Sequence, residues 1–436
     1  MTTAQFGSLT LVIFAVLAVA HLCGWAFIKL RQPRVVGEIL AGVLLGSAVL
    51  GRLSPKLSAM LFGGVGDANS HVSAVVLGFL YNLGLLLLMF ASGAETKGLF
   101  NRQDTREVAW LGGIGTAIPF LLALLLAPLM PLEMLMRDPA ASRTPITLVV
   151  SIAIAVTSIP VISKILHDLD ILHTRFARLV LGVAVLEDVA LWAVLAVATS
   201  LAKSANVPRS EIVLHVTANL VFFAIGLFLA PTLLKKISRQ RVNVVATNAP
   251  VAYVFLVLLA YSALAALLGV NLVFAAFLAG LAVVKDKRLL DAVKIISTVS
   301  FAIFIPIYFA VVGYKLDLGH TFSFGLLAVF LTIACVVKLI AAGSGARIAG
   351  FPWRDSINLA TALNARGGPG IVLASVALDA GIVNAPFYTT LVLVAVLTSQ
   401  LAGAWLDYVL RKGMPLLTRQ ELPQESAETE VPSRAA

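Results

Sequence analysis

The chain has 436 residues, 60% of them hydrophobic and only 12% charged, with a formal net charge of +10. Ordinary globular domains carry about 25% charged residues, so this composition excludes a water-soluble fold, and repeated apolar runs of about 20 residues mark a polytopic α-helical membrane protein. The basic residues are scattered through the links between those runs with no aromatic-laced stripe, which argues against nucleic acid, and a β-barrel would alternate over about ten residues instead.

Thirteen apolar segments are predicted, with cores near 7–28, 35–50, 74–93, 108–130, 146–166, 176–202, 211–234, 247–268, 271–284, 295–314, 322–346, 356–378 and 386–410. No Lys or Arg precedes the first and no small-residue cleavage site follows it, so it is expected as a retained helix and not a signal peptide. Segments two and nine are short and Gly-rich, and are expected to tilt or to span incompletely. The stretch 413–436 is polar, rich in Pro, Glu and Ser, and is expected as a disordered cytoplasmic tail. Cys23 and Cys335 lie in apolar runs, and their spacing suggests neither a disulfide nor a metal set; no cofactor is expected.

Orientation follows from the basic residues. With the N-terminus outside, the inward links hold 19 Lys and Arg and the outward links 7. The C-terminus is then cytoplasmic, in what is expected to be the cell (inner) membrane. Segments two to six and nine to thirteen form two sets of five spans at an odd offset, which inverts one set against the other. Such inverted repeats place transport sites at their interface.

The stretch from Ala184 to Trp192 puts Glu187 and Asp188 side by side in the middle of an apolar segment. A charge at the bilayer centre costs roughly 2.5–3.5 kcal/mol, and intramembrane acids usually face a cavity or a partner. The pair therefore reads as an ion or proton site. The bland alternative is one acid in a buried salt bridge and the other on a polar seam, and buried ion pairs contribute little stability on their own.

Segment five contains Thr157-Ser158-Ile159-Pro160. Proline lacks an N–H and clashes with the carbonyl four residues back, while Thr157 and Ser158 offer hydroxyls to the freed backbone. An ordinary proline kink explains the same residues. Segment twelve contains Asn364-Ala365-Arg366-Gly367-Gly368-Pro369-Gly370, which few helices survive unbroken. The two interruptions fall at corresponding places in the two halves, and paired interruptions point to a transport site built from crossed broken helices. Lys338 lies in mid-segment, where a lone ammonium needs a partner; Glu187 and Asp188 are the candidates, with snorkelling to a helix end as the rival reading. Arg366 keeps its charge and is expected to cap broken-helix carbonyls or pair with an acid. Glu38, Glu95 and Asp317 are expected at helix ends, and His167 and His173 as solvated loop groups. The run Gly112-Gly113-Ile114-Gly115 is expected to serve close helix packing.

These residues together resemble the membrane domain of the monovalent cation:proton antiporter-2 family, which includes sodium/proton antiporters and Kef-type potassium systems. The resemblance is carried in order by Gln32–Gly42, Thr157-Ser158, Glu187-Asp188, Phe274–Leu281, Phe304–Gly313 and Lys338, and covers roughly residues 7 to 412. It implies an all-α fold of about 13 transmembrane helices, with inverted repeats and two crossed broken helices. It also implies a homodimer among membrane lipids, each protomer a transmembrane domain over 1–412. A mobile core of helices at about 74–202 and 295–378 would work against a dimerisation scaffold made of the remainder. Asp188 would bind the transported Na+ or K+ and the proton, with Glu187, Thr157 and Ser158 beside it and Lys338 and Arg366 compensating charge. The pair Glu187-Asp188 differs from the Asp-Asp, Gln-Asp and Asn-Asp pairs of relatives. The implied function is exchange of a monovalent cation, Na+ first and K+ next, for protons by alternating access. A K+ efflux channel or a sensor on the same fold is the alternative. No His-rich metal motif or Ser-His pairing supports an enzyme.

Overall fold

In a bilayer each backbone N–H and C=O must be bonded within its own segment, so spanning stretches become helices. The structure is a computed structural model and describes residues 2–30, 32–46, 49–62, 68–95, 104–203, 209–240, 243–316, 318 and 322–418. In chain order the helices are α1 (Thr3–Lys29), α2 (Arg34–Leu45), α3 (Ala68–Glu95), α4 (Thr105–Leu126), α5 (Arg143–Ala155), α6 (Ile159–Asp168) and α7 (Arg175–Lys203). They continue as α8 (Arg209–Ala224), α9 (Ala230–Ser238), α10 (Pro250–Leu267), α11 (Leu272–Val283), α12 (Leu290–Val299) and α13 (Ile305–Tyr314). The last four are α14 (Phe324–Ile348), α15 (Trp353–Leu363), α16 (Gly367–Asp379) and α17 (Ala385–Arg411). Helical turns at Leu50–Leu53, Pro55–Phe62 and Val244–Asn248 are left unnumbered. Single π turns, Ile225–Leu229 and Ser300–Phe304, join α8 to α9 and α12 to α13.

Among the described residues, ten stretches are long and apolar enough to cross a membrane, and three shorter apolar helices are Arg143–Ala155, Leu272–Val283 and Gly367–Asp379. Together they account for the thirteen predicted segments. Segment two is the 12-residue α2 and segment nine the 12-residue α11, both short. Large apolar side chains such as Phe14, Phe228 and Leu267 are exposed around the outside, as lipid-facing surfaces require.

The helices pack in two groups. In one, α3 lies on α11, α2 on α1 and α13, and α10 on α11. Glycine makes this group tight: a Cβ on Gly93 would meet the Phe277 carbonyl at 2.0 Å, and one on Gly280 the Phe90 carbonyl at 2.0 Å. The Phe274–Leu281 stretch thus has a backbone-to-backbone packing role. In the other group α4 packs on α14, α5 and α7, and α17 on α14, α15 and α16.

The two interrupted spans run in opposite senses. The start of α5 and the end of α16 share one face, where Asn384 donates to the Leu135 carbonyl at 3.0 Å and Met136 bridges Val383. The starts of α7 and α15 share the other, where the Arg175 guanidinium lies 6.0 Å over the Phe351 ring. This second face carries Lys29, Lys164, Arg347 and Arg411 as well, and is called the basic face below. Here the chain past α17 is ordered, contrary to the expectation for 413–418. Leu416 and Leu417 are buried, Asn358 donates to the Leu416 carbonyl at 3.1 Å, and Asp355 accepts both the N–H and the hydroxyl of Thr418. Two leucines are enough to dock this end, an effect the polar average of the tail hides. Residues 419–436 and Asp317 lie outside the described residues.

Candidate functional site

Helix α5 stops at Ala155 and α6 starts at Ile159, leaving Val156, Thr157 and Ser158 extended. The proline at position 160 falls in the first turn of α6, where its missing N–H costs nothing. Ser158 caps that turn, its hydroxyl accepting the Val161 N–H at 3.3 Å. Helix α15 stops at Leu363, and α16 restarts at Gly367 with φ +34°. The breaks are joined: the Ser158 N–H donates to the Ala365 carbonyl at 2.7 Å, and the Thr157 hydroxyl to the Leu363 carbonyl at 2.5 Å. On the other side, the Arg366 and Gly367 N–H groups donate to the hydroxyls of Thr398 and Ser399 on α17.

A helix C-terminus leaves four carbonyls without helical partners, and at α5 all four are bonded. Ile152 accepts the Val156 N–H. Arg366 donates Nε to Ala153 at 2.8 Å and Nη2 to Ile154 at 3.0 Å, and Lys338 Nζ donates to Ala155 at 2.5 Å. Arg366 also reaches the Ala334 carbonyl at 2.8 Å and Asn364. Two basic side chains therefore sit at the negative end of the α5 dipole.

Glu187 and Asp188 are both fully buried on α7. Glu187 Oε1 accepts from Lys338 Nζ at 2.8 Å and from the Thr116 hydroxyl at 2.7 Å. The lysine thus pairs with Glu187, leaving Asp188 aside. Among the described residues, neither Asp188 oxygen nor Glu187 Oε2 has a hydrogen-bond partner. Buried polar atoms are normally bonded, and these three carboxylate oxygens at one place depart from that rule. Glu95 is the last residue of α3 and is exposed, the helix-end position expected for it. Glu38 is elsewhere, buried and paired with Arg34 at 2.7 Å. His167 and His173 are exposed at the basic face.

Thr116 was not singled out in the sequence. Its signal is Gly115 beside it: a Cβ there would lie 3.3 Å from Ala342 Cα, so the small residue lets α4 settle on α14 and carries the hydroxyl to Glu187. Between the two helix groups, a cavity of about 720 Å³ opens near the basic face and is lined by Ile28, Gln32, Lys164, Ser399, Gln400 and Arg411. Ser399 is the residue that holds Gly367, so the cavity reaches the crossing. Near the opposite face the groups are bonded together. Asp379 accepts from Tyr81 at 3.1 Å and Lys315 at 3.2 Å, Tyr308 donates to Ser375 at 3.2 Å, and Tyr388 to the Val312 carbonyl at 3.1 Å.

Comparison with known proteins gives a consistent picture. The family model described as "Sodium/hydrogen exchanger, transmembrane" matches residues 17–412. The chain is 27% identical to the Na(+)/H(+)-K(+) antiporter GerN of Bacillus cereus, over 90% of this chain and 94% of that one. It is 25% identical to the Na(+)/H(+) antiporter NhaS4 of Synechocystis, over 89% and 93%. It is also 27% identical to K(+)/H(+) antiporter 1 of Saccharomyces cerevisiae, over 90% of this chain but 45% of that one. The chain thus spans about half the length of several curated relatives it matches. The solved structure of the sodium proton antiporter MjNhaP1 from Methanocaldococcus jannaschii shares its fold, with a TM-score of 0.60 and 15% identity over 94% of this chain and 98% of that one.

Proposed function

The chain belongs to the sodium/hydrogen exchanger family, and we propose that it is a secondary transporter exchanging a monovalent cation for protons at Asp188. One observation carries the assignment of the site: both Asp188 oxygens are buried and unbonded among the described residues, while Glu187 beside it is neutralised by Lys338. A proton and a cation compete for the same carboxylate, and that competition is the exchange. Thr157 and Ser158 hold the crossing in shape and offer the extended backbone beside it. Lys338 and Arg366 keep the α5 carbonyls bonded and balance Glu187. GerN and NhaS4, matched over nearly their whole length, are antiporters by name, which supports exchange over a channel or a sensor. Na+ is the first candidate and K+ the second.

Alternating access is supported by a cavity at the basic face that includes Ser399 and by a layer of Tyr81, Tyr308, Tyr388, Lys315 and Asp379 that bonds the two groups at the other, where a second cavity of about 520 Å³ lies against Tyr81, Lys315 and Asp379. The mobile unit is α4–α7 with α14–α17, moving against α1–α3 and α10–α13. This proposal differs from the division expected from sequence in leaving α3 and α13 outside the mobile unit, because they pack chiefly on α11 and α2. The N-terminus lies outside, the basic face is cytoplasmic, and the protomers pair as a homodimer. Purified protein in vesicles with an acid interior tests the exchange. Collapse of the gradient on adding Na+, K+ or Li+ outside supports it and names the ion. No collapse with any of them removes it.

A further inference from the structure

Helix α7 repeats its face every three to four residues, so Trp192 stands one turn beyond Asp188 on the same side. It is buried, and its ring meets the ring of Phe274 on α11 at 6.4 Å, tilted by 46°. Phe274 is fully buried and belongs to the other helix group. Because α7 starts at the basic face, this ring pair lies between Asp188 and the bonded tyrosine layer. Its two rings come from the two helix groups, so their contact is where a seal on this side of the carboxylate would form.

The indole N–H has no hydrogen-bond partner among the described residues, and the same is true of both Asp188 oxygens. Buried Trp N–H groups usually find one. Trp192 follows Asp188 by four residues on α7, the spacing at which side chains on one helix face are neighbours, so the free indole N–H and the free carboxylate oxygens stand one turn apart. Helix α11, with the sequence LVFAAFLAGLAV, brings no polar side chain to that face.

We propose that Trp192 is a positioning residue that ties the loading of Asp188 to the closure of the seal. The inference rests on Asp188 being the exchange site. Ionised and unloaded, Asp188 accepts the indole N–H, and the ring is held between its carboxylate and Phe274. A proton or a cation takes the lone pairs that the N–H would use, and the ring loses one of its two anchors. The seal then opens over a loaded site and stays shut over a bare one, as strict exchange requires.

The test uses the full-length protein in vesicles, with Trp192→Phe, Phe274→Ala and Asp188→Asn beside wild type. Trp192→Phe keeps a ring and removes the N–H that the cation displaces. Its KM for the transported cation falls about tenfold, the equivalent of one charge-assisted hydrogen bond, with a smaller change in maximal rate. Phe274→Ala moves KM less and raises cation leak without proton exchange. Tryptophan emission of wild type shifts on adding the cation, and this shift is absent in Trp192→Phe and Asp188→Asn. If Asp188→Asn abolishes exchange while Trp192→Phe keeps the wild-type KM and emission response, the role of Trp192 is refuted and the site stands. A fall of KM and maximal rate in equal proportion refutes it too. Exchange that survives in Asp188→Asn overturns the site, and this inference with it.

Discussion

Lys338 Nζ lies 2.8 Å from Glu187 Oε1, and both side chains are fully buried. Removing one partner of such a pair leaves an uncompensated charge, which typically costs about 3–5 kcal/mol, whereas replacing both is often near neutral. Lys338→Met is therefore expected to lower the thermal midpoint in detergent sharply, and Glu187→Gln with Lys338→Met to recover most of the loss. Equal midpoints for the single and double variants would show that the pair is not coupled.

The second broken helix restarts in a conformation that favours glycine. At Gly367 φ is +34°, and a Cβ would lie 2.4 Å from Val161 Cγ2. Left-handed backbone and overpacking together cost about 3 kcal/mol or more for alanine. At Gly368 the nearest atom to a Cβ is Ser158 Oγ at 4.0 Å. Gly367→Ala is expected to lose folded protein on size-exclusion chromatography, and Gly368→Ala to keep it. Similar yields for both would contradict the geometry.

Arg366 serves carbonyls of α5 and α14 through a planar fork. Lysine keeps the charge but not the fork. Each buried carbonyl left unbonded costs about 1–3 kcal/mol, so Arg366→Lys is expected to slow exchange at least tenfold and to lower the thermal midpoint. A wild-type rate with an unchanged midpoint would leave the fork without a role.

The Lys315–Asp379 pair ties the two helix groups at the face opposite the basic one. Both side chains are partly exposed, so the pair contributes at most about 1 kcal/mol. Asp379→Asn is expected to ease opening at that face and to lower KM for cations added there about threefold, within the range of that energy. The charge-swapped double variant, Lys315→Asp with Asp379→Lys, is expected to return KM toward wild type. If the swap behaves as the sum of its singles, the pair is not a latch.

Much of this was legible in the sequence. Apolar length set the thirteen segments, and Pro160 with the Arg366–Gly370 run marked where two of them break, since proline and glycine act locally. Lys338 and the two acids stood out because charge in an apolar run has no local explanation. The choice of Glu187 over Asp188 as the lysine's partner was not legible, because neighbours on a helix differ by about 100° in direction and only packing decides which faces α14. Thr116 was hidden for the same reason. The grouping of α3 with α11 depends on the Gly93 and Gly280 crossing, which joins stretches far apart in the chain, and the docking of Leu416 and Leu417 on distant α15 is equally nonlocal.

Cation-driven proton flux should be measured in vesicles bearing wild type, Glu187→Gln or Asp188→Asn. Asp188 as the shared site predicts no flux for Asp188→Asn with any cation at any pH, and a reduced but measurable flux for Glu187→Gln. Wild-type flux through Asp188→Asn would place the exchange elsewhere in the protein.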